Sequence, residues 1–165
     1  MHFARFALAA AAAGVFGTLA SPADAQTLQR KDLSMEGALA IATTAIADCK
    51  SKGFAVSATV VGRTGEVMVQ LRGDNTGPHT VENSFKKAFT SRTFRIPSGE
   101  MEDRLKKNPA MGAQYLTGFT TGRGALPIKI GEEVVGAAGV SGAPGGEKDE
   151  ACVQTGLDKV KAQLN

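Results

Sequence analysis

The apolar residues recur with helical spacing in three main segments of the chain. Between residues 34 and 52, Leu39, Ala42 and Ile46 follow one another at intervals of three to four residues, which predicts an amphipathic helix. A similar stripe predicts a last helix over residues 148–164. A third stripe predicts a central helix that buries one apolar face, formed by Val81, Phe85, Ala88 and Phe89.

Two other regions have the composition of strand pairs joined by short turns that contain glycine, and residues 66–72 also alternate as a half-buried strand does. Residues 54–62 and 66–72 predict a first hairpin. Ala125–Ile130 and residues 134–140 predict a second one. Residues 119–121 are expected to add a short strand before it.

Between the hairpins, the chain is less regular. Ser98 is expected to cap a helix over residues 99–107, and Asn108-Pro109 ends it. The order of elements is then helix, hairpin, helix, helical segment, hairpin, helix. Because hairpins make antiparallel pairs, the pattern predicts an α+β fold with an antiparallel sheet covered by helices.

The second strand of the second hairpin, VVGAAGV, is nearly free of side chains at residues 136–139. Glycine weakens a strand interior unless another backbone or a ligand must come close. Close packing of a helix on the sheet is one explanation, and a ligand or a subunit contact is the other.

The first residues have the pattern of a secretory signal. A short basic start precedes an apolar run that ends near Ala20, and residues 23–25 (Ala-Asp-Ala) fit a small-x-small cleavage site. Cleavage after Ala25 would leave residues 26–165 as one domain in the periplasm or outside the cell. A retained membrane anchor is the alternative, and the run is short for it.

Composition excludes several classes of protein. The net charge of +3 is too small for a typical nucleic-acid-binding surface, and without tryptophan and with one tyrosine the chain lacks an aromatic stacking platform. P-loop and Rossmann fingerprints are absent, and no G-x-S-x-G elbow precedes a helix. The acidic residues Glu132, Glu133, Glu147, Asp149 and Glu150 are interpreted as solvated charges or as partners of the last helix's dipole.

Cys49 continues the apolar face of the first predicted helix, and Cys152 lies beside that of the last. In an oxidising compartment, this placement predicts a disulfide between the two helices. A redox-active or metal-binding thiol pair is the alternative, but the chain has neither a CxxC spacing nor histidines near these cysteines.

Several segments resemble one known family. These are GALPI, then a turn, then VVGAAGVSGAPGG with Asp149-Glu150 opening the last helix, together with the Gly65 turn, Arg72-Gly73-Asp74 and Lys87-Ala88-Phe89-Thr90. In them the chain resembles the haem-binding/GlcG-like family, small bacterial domains found in secreted haem-binding proteins, beside glycolate-oxidation genes and as the C-terminal domain of PduO-type proteins. The resemblance covers nearly all of residues 26–165.

The resemblance implies a single five-stranded antiparallel sheet with helices on both faces, roughly profilin-like. It also implies a small-molecule tetrapyrrole, haem, as ligand, and assembly into homo-oligomers. Members are associated with haem binding and in some cases with haem degradation or iron storage.

His79 is the one histidine that follows the predicted signal, and it begins the central helix. A helix N-terminus disfavours an added positive charge, so the imidazole is expected to be neutral and able to bind metal. Asn83 and Lys86 follow on one polar face, Lys86 about 10 Å along the axis. With the resemblance, this predicts His79 as the ligand of haem iron and Lys86 as a propionate partner. Other candidate contacts to haem are Asn83, Arg72, Lys87, Arg92 and Arg123.

Other interpretations of these residues are open. His79 can be an ordinary exposed or capping histidine. The protein as a whole can be a non-catalytic assembly module, in which the small-residue strand and the phenylalanine-bearing helix mediate packing. It can also be a small-metabolite-binding protein or enzyme linked to glycolate-type oxidation, although no nucleophile, acid and base converge in the sequence.

Overall fold

A computed structural model describes residues 28–164 of the chain. The predicted signal at residues 1–25 therefore lies outside the described residues. Three short 3-10 turns, Pro109–Met111, Ala113–Tyr115 and Lys161–Gln163, supplement the regular elements. The helices are α1 (Met35–Ser51), α2 (Thr80–Phe94), α3 (Ser98–Lys107) and α4 (Gly146–Val160), and the strands are β1 (Ser57–Val61), β2 (Val67–Arg72), β3 (Ala125–Ile130) and β4 (Glu133–Ser141).

The strands form one antiparallel sheet in the order β2-β1-β4-β3, so that both predicted hairpins are present and β1 joins them by pairing with β4. Within residues 28–164 the sheet has four strands, and the prediction of five was wrong. Residues 119–121 do not form a strand. The Thr120 N–H instead donates to Thr90 Oγ1 at 3.0 Å, so a side chain of α2 takes the place of a strand neighbour.

One face of the sheet carries α1 and α4, and most of the apolar core lies there. Ile41 of α1 and Val153 of α4 are buried against Val60 and Val135 of the sheet. A Cβ on Gly156 would lie 2.6 Å from the Ile41 carbonyl oxygen, which shows how closely the two helices approach. The predicted disulfide is present and links Cys49 of α1 to Cys152 of α4.

The opposite face carries α2, and its packing is largely polar. Two pairs of buried hydroxyl groups connect helix and sheet: Ser57 with Thr80 at 2.8 Å, and Thr59 with Ser84 at 2.7 Å. A Cβ on Gly139 would lie 2.7 Å from the Ala88 nitrogen. Close packing of a helix therefore explains the glycine at this position of β4.

The predicted inward face of α2 was wrong in phase. Val81, Phe85 and Phe89 are only half-buried, whereas Ala88 is fully buried as predicted. Small residues occupy the contact because the helix lies too close to the sheet for large side chains, and their hydroxyls find partners there. The buried residues of α2 are Thr80, Ser84, Lys87, Ala88, Thr90 and Ser91.

Ser98 has a role other than the predicted helix cap. It is the first residue of α3, and its Oγ accepts a hydrogen bond from the Ala125 N–H at 3.0 Å. The contact connects α3 to the start of β3. α3 also packs against α2.

Candidate functional site

A cleft of about 470 Å³ opens where the N-terminal half of α2 meets the turn between β4 and α4. The segment before β3 and one residue of α3 complete its walls. Four of the residues predicted as haem contacts line this cleft although they are far apart in the sequence: His79, Asn83, Lys87 and Arg123.

His79 occupies the N-cap position of α2, but its side chain makes no capping hydrogen bond. Its backbone carbonyl accepts the Asn83 N–H at 2.9 Å, which starts the helix. The side chain is exposed, and no hydrogen bond or ion pair within residues 28–164 engages the imidazole. The exposed imidazole is therefore available to a ligand.

Asn83 lies one turn further along α2 and connects the helix to the sheet. Its Nδ2 donates a hydrogen bond to Ser141 Oγ at 3.0 Å. Ser141 is the last residue of β4, so this bond fixes the position of the cleft's floor relative to His79.

Lys87 forms a buried ion pair with Asp149 of α4. Its Nζ donates to Asp149 Oδ2 at 2.7 Å and to the Val140 carbonyl at 3.1 Å, and Asp149 Oδ1 accepts the Ala143 N–H at 3.0 Å. Lys87 is 5% exposed and Asp149 2%. Burial raises the pKa of the Asp149 carboxyl, while the charge of Lys87 and its hydrogen bond act in the opposite direction. Lys87 thus holds the β4–α4 turn in place.

The interpretation of Asp149 as a solvated charge was wrong, whereas its position in the first turn of α4 agrees with the alternative, a partner of the helix dipole. A carboxylate in the first turn of a helix is usually exposed, and the sequence does not show that Lys87 and Gly124 will cover it. Gly124 has φ +132°, and a Cβ there would lie 2.7 Å from Lys87 Nζ and 2.8 Å from Asp149 Cβ. Glycine at this position therefore leaves room for the ion pair.

Arg123 is surrounded by carboxylates from two helices. Its Nη2 lies 3.1 Å from Asp103 Oδ2, Nη1 lies 3.8 Å from Glu150 Oε2, and Nε lies 4.0 Å from Glu102 Oε2. Burial raises the pKa of Glu150, and Arg123 opposes that shift. Arg123 therefore connects α3 with the start of α4 and is already neutralised by protein groups.

The other predicted contacts lie elsewhere. Lys86 is on α2 outside the cleft lining and pairs with Glu82 at 2.6 Å. Arg72 donates to the Thr76 carbonyl at 3.0 Å and lines a separate groove of about 670 Å³ beside α1. Arg92 lies in the last turn of α2, at the end opposite His79.

The donor set limits the kind of metal site that the cleft can form. No group of three or more His, Cys, Asp or Glu side chains within residues 28–164 is arranged to hold a metal ion. A single imidazole can still bind a metal whose other ligands come from a prosthetic group, as the proximal histidine does in haem proteins.

The chain matches the family described as "Haem degrading protein HbpS-like" over residues 33–158. It belongs to the HbpS-like family. The match includes every element from the N-cap of α1 to most of α4, so it contains the cleft with His79 and the buried ion pair.

Individual relatives agree with this assignment. The crystal structure of HbpS is 32% identical, with a TM-score of 0.77 over 81% of this chain and 93% of that chain. An uncharacterised 15.0 kDa protein from the dhaT-dhaS intergenic region of Citrobacter freundii is 28% identical over 132 residues, covering 72% of this chain and 92% of its own. A PduOC:haem complex has a TM-score of 0.72 over 78% of this HbpS-like chain and 95% of its own, but at 19% identity it shows the fold alone.

Proposed function

We propose that this HbpS-like protein binds haem, with the His79 imidazole as an axial ligand of the iron. The observation that carries the proposal is the exposed imidazole at the rim of the cleft, which no group within residues 28–164 engages. The family description, which refers to haem, supports the choice of ligand. Bound haem would supply the iron and its redox chemistry, whereas this chain would hold and orient it.

The basic residues differ in their availability to haem propionates. Lys87 is buried against Asp149, and Arg123 is matched by three carboxylates. Lys86 lies on the same side of α2 as His79, about 10 Å along the helix axis, and 37% of its side chain is exposed. Lys86 is therefore our candidate for an ion pair with a haem propionate, which would replace its ion pair with Glu82.

The cleft of one chain offers a ligand for the iron and polar groups for the propionate edge of haem, but it offers little apolar surface for the macrocycle. Ala143 is the lining residue with an apolar side chain, and the others are glycines or polar and charged residues. Sites for flat apolar ligands are usually lined mainly by hydrophobic and aromatic groups. We infer that a second copy of the chain supplies the cover.

A haemin titration of residues 26–165, followed by absorbance, tests the proposal. Wild-type protein should show saturable binding with a Soret shift, and His79→Ala should bind more than about tenfold more weakly, since even outer groups around a metal contribute factors of this size. Added imidazole should restore the Soret spectrum of the His79→Ala variant.

Thr93→Ala is the control, because Thr93 is exposed on the same helix far from the cleft. It should bind haemin as the wild type does. Unchanged affinity and Soret band in His79→Ala would refute the ligand assignment, and absence of saturable binding in the wild type would refute haem binding itself.

We also propose that the protein forms homo-oligomers. Three large apolar side chains are exposed in the segment between α3 and β3: Met111, Tyr115 at 85% and Leu116 at 52%. Exposed apolar side chains that follow one another closely in the chain are candidates for a contact surface.

Sedimentation velocity of the wild type and of the Tyr115→Ser/Leu116→Ser variant tests the oligomer. We expect the variant's oligomer to dissociate at a concentration at least about tenfold higher, as for loss of buried anchor residues at an interface. Gln163→Ser, an exposed change elsewhere, should leave the distribution unchanged. A monomeric wild type would contradict this proposal, and an oligomer that binds no haemin would favour an assembly module.

We propose that the protein resides in the periplasm or outside the cell. The disulfide supports this location, because such bonds persist in oxidising compartments. No helix within residues 28–164 has both the length and the apolar character needed to cross a membrane.

A further inference from the structure

Four basic side chains line a second cleft, of about 340 Å³, at the C-terminal end of α2. Arg63 comes from the turn between β1 and β2, Arg92 and Arg95 from the end of α2, and Lys129 from β3. Arg92 is thirteen residues beyond His79, which corresponds to about 20 Å along the helix. The cleft is therefore separate from the candidate haem site.

Most of these cations lack an ion-pair partner in the protein. Arg63 is engaged, since it binds Glu133 and the Lys31 carbonyl. Arg92, Arg95 and Lys129 form no ion pair with any residue from 28 to 164. The Nε of Arg92 is also buried without a hydrogen-bond acceptor. Buried donors are nearly always paired, so this N–H points to an acceptor that the chain does not provide.

The charges of the residues that line the cleft favour binding of an anion. Two carboxylates, Glu132 and Glu133, line it beside the four cations, which leaves an excess of positive charge. Burial, followed by the neighbouring charges of Arg95 and Arg63, lowers the pKa of Arg92, while the carboxylates of Glu66 and Asp32 act in the opposite direction. Like charges that line one cleft repel each other, and an anion between them would relieve the repulsion.

A purely structural role does not account for the cluster. Basic residues near a helix C-terminus interact favourably with the helix dipole, which suits Arg92 and Arg95. Arg63 is held in the cleft by its own partners, Glu133 and the Lys31 carbonyl. Neither explanation covers Lys129, which reaches the same cleft from β3. The exposed side chains of Arg95 and Lys129 could each turn to solvent, yet both line the cleft.

We propose that this cleft is a binding site for a phosphate group, either free or as part of a small phosphomonoester. A phosphate dianion has tetrahedral acceptors that can meet donors arriving from several directions, and guanidinium groups can bind it with two parallel hydrogen bonds. A ligand with one carboxylate group would neutralise the charge of only one of the three unpaired cations. The volume lies within the range of small-ligand sites.

Calorimetric titration of the haem-free protein with inorganic phosphate, at constant ionic strength in sodium chloride, tests the site. We expect saturable heat and a melting temperature that rises with phosphate but not with chloride. Arg95→Gln and Lys129→Gln change exposed residues and should each weaken binding by about tenfold, as for loss of one charge-assisted contact. Arg92→Lys keeps the charge but removes the planar donor fork, and it should also weaken binding.

Lys159→Gln is the matched control, because Lys159 is exposed on α4 and its replacement makes the same change in charge. It should bind phosphate as the wild type does, and so should His79→Ala, which separates this site from the haem proposal. No saturable response in the wild type, or equal affinity in Arg95→Gln and Lys129→Gln, would overturn the phosphate site. Dissociation of an oligomer by Arg95→Gln without phosphate binding would overturn it in favour of a subunit contact.

Discussion

Removing the disulfide with Cys49→Ala/Cys152→Ala should lower the free energy of unfolding by about 4–5 kcal/mol. The two cysteines are 103 residues apart in the sequence, so the bond joins α1 to α4 and encloses the whole sheet in one covalent loop. In the chain-entropy model, a loop of this length removes many conformations from the unfolded state. Both side chains are fully buried, so the shorter alanines add a small packing loss.

Urea unfolding of the wild type and the double variant at neutral pH measures this effect. Reducing agent should destabilise the wild type toward the value of the variant and leave the variant itself unchanged, which is the internal control. A loss below about 1 kcal/mol would show that the unfolded chain is constrained by something other than this bond.

Asp149→Ala should have the second large effect, a loss of about 3–5 kcal/mol in the free energy of unfolding. The replacement leaves the ammonium group of Lys87 buried without its counter-ion, and it also removes the acceptor of the Ala143 N–H. An uncompensated buried charge is far more costly than the ion pair itself.

Asp158→Ala is the control for this change. Asp158 lies on the same helix but is exposed, so its loss should change the unfolding free energy by no more than about 0.5 kcal/mol. Lys87→Met/Asp149→Ala should lose less than the sum of the two single variants, because the double variant leaves no unpaired charge. If Asp149→Ala were as mild as Asp158→Ala, the ion pair would not be an important support of the β4–α4 turn.

The hairpins could be predicted from sequence because their determinants are local. β3 begins and ends where its apolar segment predicts, and β1, β2 and β4 differ from their predicted bounds by one to three residues at one or both ends. Gly131 adopts a positive φ of 59° in the turn between β3 and β4, the conformation for which glycine is suited. Cys49 and Cys152 were also predictable as a pair, since Cys49 continues the apolar face of one predicted amphipathic helix and Cys152 lies beside that of another.

The α2 contact with the sheet was not predictable in the same way. Periodicity identifies apolar residues as the buried ones, but here Thr80 and Ser84 are buried because Ser57 and Thr59 on the sheet provide partners for their hydroxyls. Whether a serine is buried or exposed depends on a partner distant in the sequence. For the same reason, the sequence of residues 119–121 predicts a strand, whereas in the structure Thr120 contacts Thr90 instead of a strand neighbour.

The sequence by itself determined the α+β class, the two hairpins, the disulfide pair and the candidacy of His79, because these depend on local pattern and residue type. The tertiary structure alone decided which basic residues are free to bind a ligand. It buried Lys87 against Asp149, surrounded Arg123 with carboxylates and left Arg92, Arg95 and Lys129 unpaired within residues 28–164. Electrostatic pairing depends on distance in space, which the order of residues along the chain does not specify.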